Sequence, residues 1–239
     1  MITLQEIFNH LTYGELAQVA IGGGANGFIA DQDYPKAISF VNRALTALHQ
    51  KFLLAKEKLL LQQYVGTNIY YLRSDYAVSN ADSLLIPKYI VDSVAIPFED
   101  NLFKVEQVFS AEGTEYPLND ASAEVPIFTT KFDVLEMVPV IPELLTVAYR
   151  SGHKKIVYTL GFDPASVQLH IPNFILEALL LHIAARVFAP IGNGEGETNL
   201  HRIFAANYEL ECQKLEQQNL DLESDTRSLN SAFSRGGWI

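Results

Sequence analysis

Residues 22–27 read GGGANG, the G-x-G-x-x-G spacing with which a strand-to-helix turn cradles a pyrophosphate. That chemistry needs a strand before the glycines and a helix starting at once, so that free N–H groups at the helix N-terminus face the anion. Here a capped helical pattern precedes the run, and the next helix begins only near Pro35. No acidic residue follows a second strand where a ribose partner would sit. A flexible inter-helix loop, in which glycine is permissive, accounts for the run better than nucleotide binding.

The other chemistry-bearing residues are dispersed. The histidines stand at 10, 49, 153, 170, 182 and 201, with no H-E-x-x-H and no pair on one helix face to ligate a metal. His182 lies inside an apolar helix and reads as a core histidine satisfied by one hydrogen bond, and His153 belongs to a loop, RSGHKK. A Ser-His-Asp set assembles only in the fold, yet no G-x-S-x-G elbow is present to anchor one. Carboxylates are numerous, but no close pair is flanked by aromatics. Cys212 is the only cysteine, which excludes an internal disulfide and a thiolate cluster. The reading is of no catalytic residue, no metal, no cofactor and no enzyme.

The unusual chemistry sits in the last residues. Trp238 is the sole tryptophan, beside Ile239 in FSRGGWI. Chain ends are usually polar unless something ties them down. Burying one tryptophan removes about 200 Å² from water, worth roughly 5 kcal/mol as an upper bound. Either this segment packs on its own protein or it docks on another.

The elements that would position these residues fall into three stretches. TYGELAQVAI opens on Thr12 with Glu15 three residues on, the spacing of a capping box, and puts Leu16, Val19 and Ala20 on one face. DYPKAISFVNRALTALHQKF follows, with Asp33 as N-cap, Pro35 in the first turn and a stripe of Ile38, Val41, Leu45, Leu48 and Phe52. From about residue 57 the texture becomes short β-branched and aromatic runs. Pro87 and Pro97 suit edge strands or loops, and residues 102–120 predict a hairpin through Val105, Val108, a Glu112-Gly113 turn and Tyr116. LLTVAYR, 144–150, is a further strand. Helix then returns, from Pro172 through ALLLHIAARVF, and from a Thr198 cap over about 199–222 with Phe204, Tyr208, Cys212 and Leu215 on one side.

The fold class is therefore α+β: a helical bundle from residues 1–56 and 161–222, an inserted β-rich unit at 57–160, and an extended tail at 223–239. The apolar fraction of 49% is that of an ordinary globular protein. A net charge of −11, with no basic run beyond HKK at 153–155, argues against gripping nucleic acid. MITLQEIFNH lacks the basic and apolar regions of a signal peptide, and no window holds enough apolar residues for a spanning helix. A cytoplasmic site of synthesis and no membrane partner are expected.

This layout, with VEQVFSAEGTEYPLND in the β insertion, LHIPNFILEALLLHIAARVF and FAANYELECQKLEQ, resembles the head-to-tail adaptor (connector or neck) proteins of tailed bacteriophages. It is similar to their tail tubular protein A or gatekeeper group. The resemblance implies a structural virion protein, a ring-shaped homo-oligomer (a dodecamer), located in the neck between head and tail. It implies partners in the portal protein above and a tail or nozzle protein below, with DNA passing through at ejection without specific binding. Portal docking would fall to residues 225–239, with Arg227 and Arg235 as charged donors and Leu229, Phe233, Trp238 and Ile239 as anchors. The alternatives are a hydrolase with an unrecognised site in the β-rich unit, where His153 or His182 would meet carboxylates, or a ligand-binding module with a groove of Tyr70, Tyr71 and Tyr89.

Overall fold

The computed structural model describes residues 1–17, 29–138, 142–189 and 195–218. It is mixed helix and sheet, in two compact units: Met1–Leu54 with Lys155–Ile239, and Ala55–Lys154.

In the first unit a short strand, β1 (Ile2–Thr3), pairs antiparallel with β10 (Gln168–Leu169). It leads directly into α1 (Leu4–Tyr13). Thr3 Oγ1 accepts from the Glu6 N–H at 3.2 Å, and the Glu6 carboxylate accepts from the Thr3 N–H at 2.7 Å. This is the capping box of the region, and it corrects the expected one at Thr12 and Glu15. Thr12 lies in the last turn of α1 and Glu15 in the turn beyond. The stripe Leu4, Ile7, Phe8 and Leu11 is buried and sets the position of the helix, so a capping spacing at its far end starts nothing. Leu16 is buried, while Val19 and Ala20, like the glycine run at 22–27, lie outside the described residues.

Helix α2 (Tyr34–Lys51) carries Pro35 in its first turn and buries Ile38, Val41, Leu45 and Leu48, the expected stripe. Asp33 holds the N-cap position, but its side chain makes no capping hydrogen bond. Past Pro172 a single 3-10 turn, Asn173–Ile175, feeds α3 (Leu176–Phe188). This helix is buried almost all round, at Leu179, Leu180, Leu181, His182, Ile183 and Ala184 among others. It packs against α1, α2 and α4 (Glu195–Gln217). Thr198 was expected to cap α4 and the helix to run to 222. Instead α4 begins before Thr198 and ends at Gln217. Its buried positions Tyr208, Cys212 and Leu215 are the predicted ones. One hydrophobic core joins Leu4–Leu48 positions of the N-terminal helices to residues between Ile156 and Leu215.

In the second unit a five-stranded antiparallel sheet has the order β4 (Ile90–Val91), β2 (Lys56–Gln62), β9 (Leu144–Ser151), β5 (Leu102–Phe109) and β6 (Glu115–Tyr116). A three-stranded sheet orders β3 (Ile69–Tyr71), β8 (Val134–Met137) and β7 (Ile127–Lys131). Both contribute to one core, through Leu61, Val108, Val147 and Tyr149 from the first and Tyr70, Leu135 and Met137 from the second. The predicted hairpin is β5–β6. Ser110 N–H donates to the Thr114 carbonyl at 2.8 Å, and Gly113 sits at φ +85°, where a side chain would be strained. Pro87 and Pro97 lie outside the strands and flank β4, an edge strand.

Candidate docking surfaces

Arg227, Leu229, Phe233, Arg235, Trp238 and Ile239, the residues expected to dock, all lie outside the described residues. The helix that leads to them is described. Along its second half Lys51 Nζ of α2 donates to Glu209 at 2.9 Å and stands 3.8 Å from Glu216. Leu200, Ile203 and Leu210 of the same helix are exposed. The rest of its exposed surface is mostly polar, at Arg202, Asn207, Glu209, Gln213, Lys214 and Glu216 among others.

The histidines are not brought together. His10 and His170 are exposed, and His153 Nδ1 lies 2.9 Å from the neighbouring Lys154 carbonyl. His201 Nδ1 contacts the Ala185 carbonyl at 2.7 Å, fastening α4 to α3. His182 is buried with its ring against Tyr208, centroids 4.8 Å apart. The single hydrogen bond expected for it is missing at Nδ1, which has no partner among the described residues. Burial and the Arg186 cation push its pKa down to about 4, so the ring is neutral at physiological pH. Nearby Cys212 is buried, and that burial pushes its thiol pKa up, away from reactivity. Among the described residues no group of three His, Cys, Asp or Glu side chains could hold a metal.

Nor do the tyrosines form a groove. Tyr70 and Tyr89 are fully buried and meet edge to face at 5.0 Å. The Tyr89 hydroxyl accepts from the Tyr71 N–H at 2.8 Å and lies 3.1 Å from the Tyr71 carbonyl. These rings are core packing between strands.

In the β-rich unit one segment that no motif announces exposes apolar side chains. Between β3 and β5 the chain exposes Leu84 (93%), Ile86 (86%), Val94 (85%) and Ile96 (78%). The segment is closed on itself by Asp92, whose carboxylate accepts from the N–H groups of Ser79 at 2.8 Å and Phe98 at 2.9 Å. Burial raises that carboxyl, but the Ser79 and Phe98 hydrogen bonds outweigh it and leave the pKa below its ordinary value. Four large apolar side chains are thus exposed within one ordered segment. The available signal was the uninterrupted Leu84-Leu85-Ile86 run ahead of Pro87, which pattern reading assigns to a strand or loop without regard to exposure.

Beside it an open groove of about 400 Å³ runs along β4 and β2, lined by Lys58, Leu60, Val91, Ile96 and Phe98. Its floor is rigid. The Tyr149 hydroxyl donates to Glu57 at 2.9 Å, and Asn101 Nδ2 donates to the same carboxylate at 3.0 Å. Burial first, and then the Glu57 charge, push the Tyr149 pKa far up, so the phenol stays a donor. Glu57, Asp92 and Ser93 also line the groove, so its wall is part apolar and part acidic. Compared with protein-family models and with curated proteins, the chain matches none.

Proposed function

We propose that this chain is a structural virion protein that forms a ring joining a phage portal to the tail and lines the channel through which DNA leaves. The layout carries the reading. Helices from both halves of the chain share one core, the β-rich residues between them form a second, and a segment with arginine and aromatic anchors continues from α4. We read the helical unit as a bundle with α3 at its centre. It is the part that stacks around the ring, and residues 225–239 reach the portal through Arg227, Leu229, Phe233, Arg235, Trp238 and Ile239. The exposed apolar loop of the β-rich unit, at Leu84, Ile86, Val94 and Ile96, suits the tail or nozzle protein below. A net charge of −11 suits a wall that must let DNA slide, since like charge repels phosphate at short range. One short docking segment binds weakly, and a ring of them binds tightly by effective concentration.

The test is the light-scattering mass of a portal ring mixed with the full chain and with a chain stopped after Leu222. The expected result is added mass from the full chain alone. Added mass from both moves the contact to the helices. None from either, at any concentration, ends the adaptor reading.

A further inference from the structure

Strand β2 is only half covered on its outer edge. Along its whole length, Lys56 to Gln62, it pairs with β9. On the other side only Leu60 and Leu61 pair with β4. The direction of each backbone group follows from three hydrogen bonds. The Ala55 carbonyl accepts from Ser151 and the Gln63 N–H donates to Glu143, so odd-numbered residues address the β9 side. The Gln62 N–H donates to Tyr89, so even-numbered residues address the β4 side. Backbone groups alternate along a strand. The N–H and C=O groups of Lys56 and Lys58 therefore point out of the sheet, beyond the end of β4, where no backbone partner meets them among the described residues.

The side chains there are equally unspent. Lys56 and Lys58 are exposed and make no ion pair among the described residues. They share the outer face of β2 with half-exposed Leu60. On the opposite face Glu57 and Leu59 lead to the Phe98–Tyr149 contact, ring centroids 6.0 Å apart. An incoming strand thus meets two cations on one face, and on the other the Glu57 carboxylate at the edge of the buried Leu59, Phe98 and Tyr149.

One segment of the chain has that alternation. Residues 220–225, outside the described part, read LDLESD: apolar at Leu220 and Leu222, acidic at Asp221, Glu223 and Asp225. They follow α4, whose last residue is Gln217. We propose that residues 220–225 of a second copy add as a strand to the open edge of β2. Asp221 and Glu223 pair with Lys56 and Lys58, Leu220 and Leu222 lie over the Phe98 side, and the free backbone groups of Lys56 and Lys58 complete the ladder. This is strand addition, in which main-chain hydrogen bonds supply affinity and alternate side chains supply specificity. A contact between two different surfaces is heterologous, and copies joined this way close into a ring or grow into a filament. The inference deepens the ring assembly proposed above and rests on that reading for the second copy.

The experiment is light-scattering mass against protein concentration, without portal. The full chain, and a chain stopped after Thr226, are expected to self-associate, and a chain stopped after Gln218 to remain a monomer. Lys58→Pro, which removes an outward N–H and no β9 bond, is expected to abolish association. Because a proline in a strand also perturbs folding, the paired reversals Lys56→Glu with Lys58→Glu, and Asp221→Lys with Glu223→Lys, give a second arm. Each pair is expected to weaken association about tenfold, the worth of two exposed ion pairs, and all four together to restore it. Association of the chain stopped after Gln218 overturns the proposal, as does failure of the four-residue swap to restore what each pair loses. A full chain that stays monomeric also overturns it. The two readings fail separately: the chain stopped after Thr226 keeps the strand but lacks the portal anchors, so it self-associates whether or not portal binding exists.

Discussion

Replacing His182 by leucine should remove a pH dependence from the stability of the helical unit. The histidine is 7% exposed on α3, packs its ring against Tyr208 on α4, feels the Glu209 charge there, and has Arg186 one turn along its own helix. Its folded pKa is lowered to about 4, from 6.5 for a free side chain. Because the folded value lies below the unfolded one, the unfolded chain binds the proton more readily. The stability associated with the neutral ring is complete above about pH 7 and is lost as pH falls from about 6.5 toward 4. Between pH 7 and pH 5 the loss from this one group works out at about 2 kcal/mol. Urea unfolding followed by far-ultraviolet circular dichroism, which reports the helices, measures it at both pH values. The wild type should lose about 2 kcal/mol more between them than His182→Leu. Taking the difference of differences cancels the pH-independent cost of exchanging the ring and the titrations common to both proteins. Equal losses would refute the reasoning and mean that the buried ring reaches solvent or a partner when protonated.

Two further outcomes check the fold. Thr3→Ala removes the capping oxygen from the Glu6 N–H and should destabilise the helical unit by about 1 kcal/mol, read as a lower urea midpoint with unchanged slope. Gly113→Ala places a side chain at φ +85° with nothing within 4 Å of its Cβ, so the cost is purely conformational. It should be about 1 kcal/mol in the β-rich unit, and a neutral result would show the turn free to re-form.

Much of the fold was legible because it depends on periodicity. The stripe of α2 and the Tyr208, Cys212 and Leu215 seam of α4 recur at helical spacing, and burial of such a stripe outweighs local signals. Strand β9 and the β5–β6 hairpin were legible from β-branched residues and a glycine that the turn requires. Capping signals taken alone misled. Thr12 with Glu15 and Thr198 each have the right residue types, but a cap exists only where a helix starts, and packing decides that. The two-residue strands β1 and β10 carry no period to detect, since their pairing joins residues far apart in the chain. The β7–β8 hairpin, IFTTKFDVLEM, shows no clean alternation of apolar and polar residues and no turn dipeptide, so no local pattern marks it.

The candidate surfaces divide in the same way. Composition and residue types alone determined an acidic chain without a metal or nucleophile motif, and a terminal segment with arginine and aromatic anchors, because these need only a count and an order. Which tyrosines are core, that His182 lacks a partner at Nδ1, and that Lys56 and Lys58 sit on an unfinished edge were decided by tertiary structure. Exposure and edge position are relations between strands that the chain brings together from distant residues. No local pattern encodes them, because the same alternating run reads alike whether its neighbour is a strand or solvent.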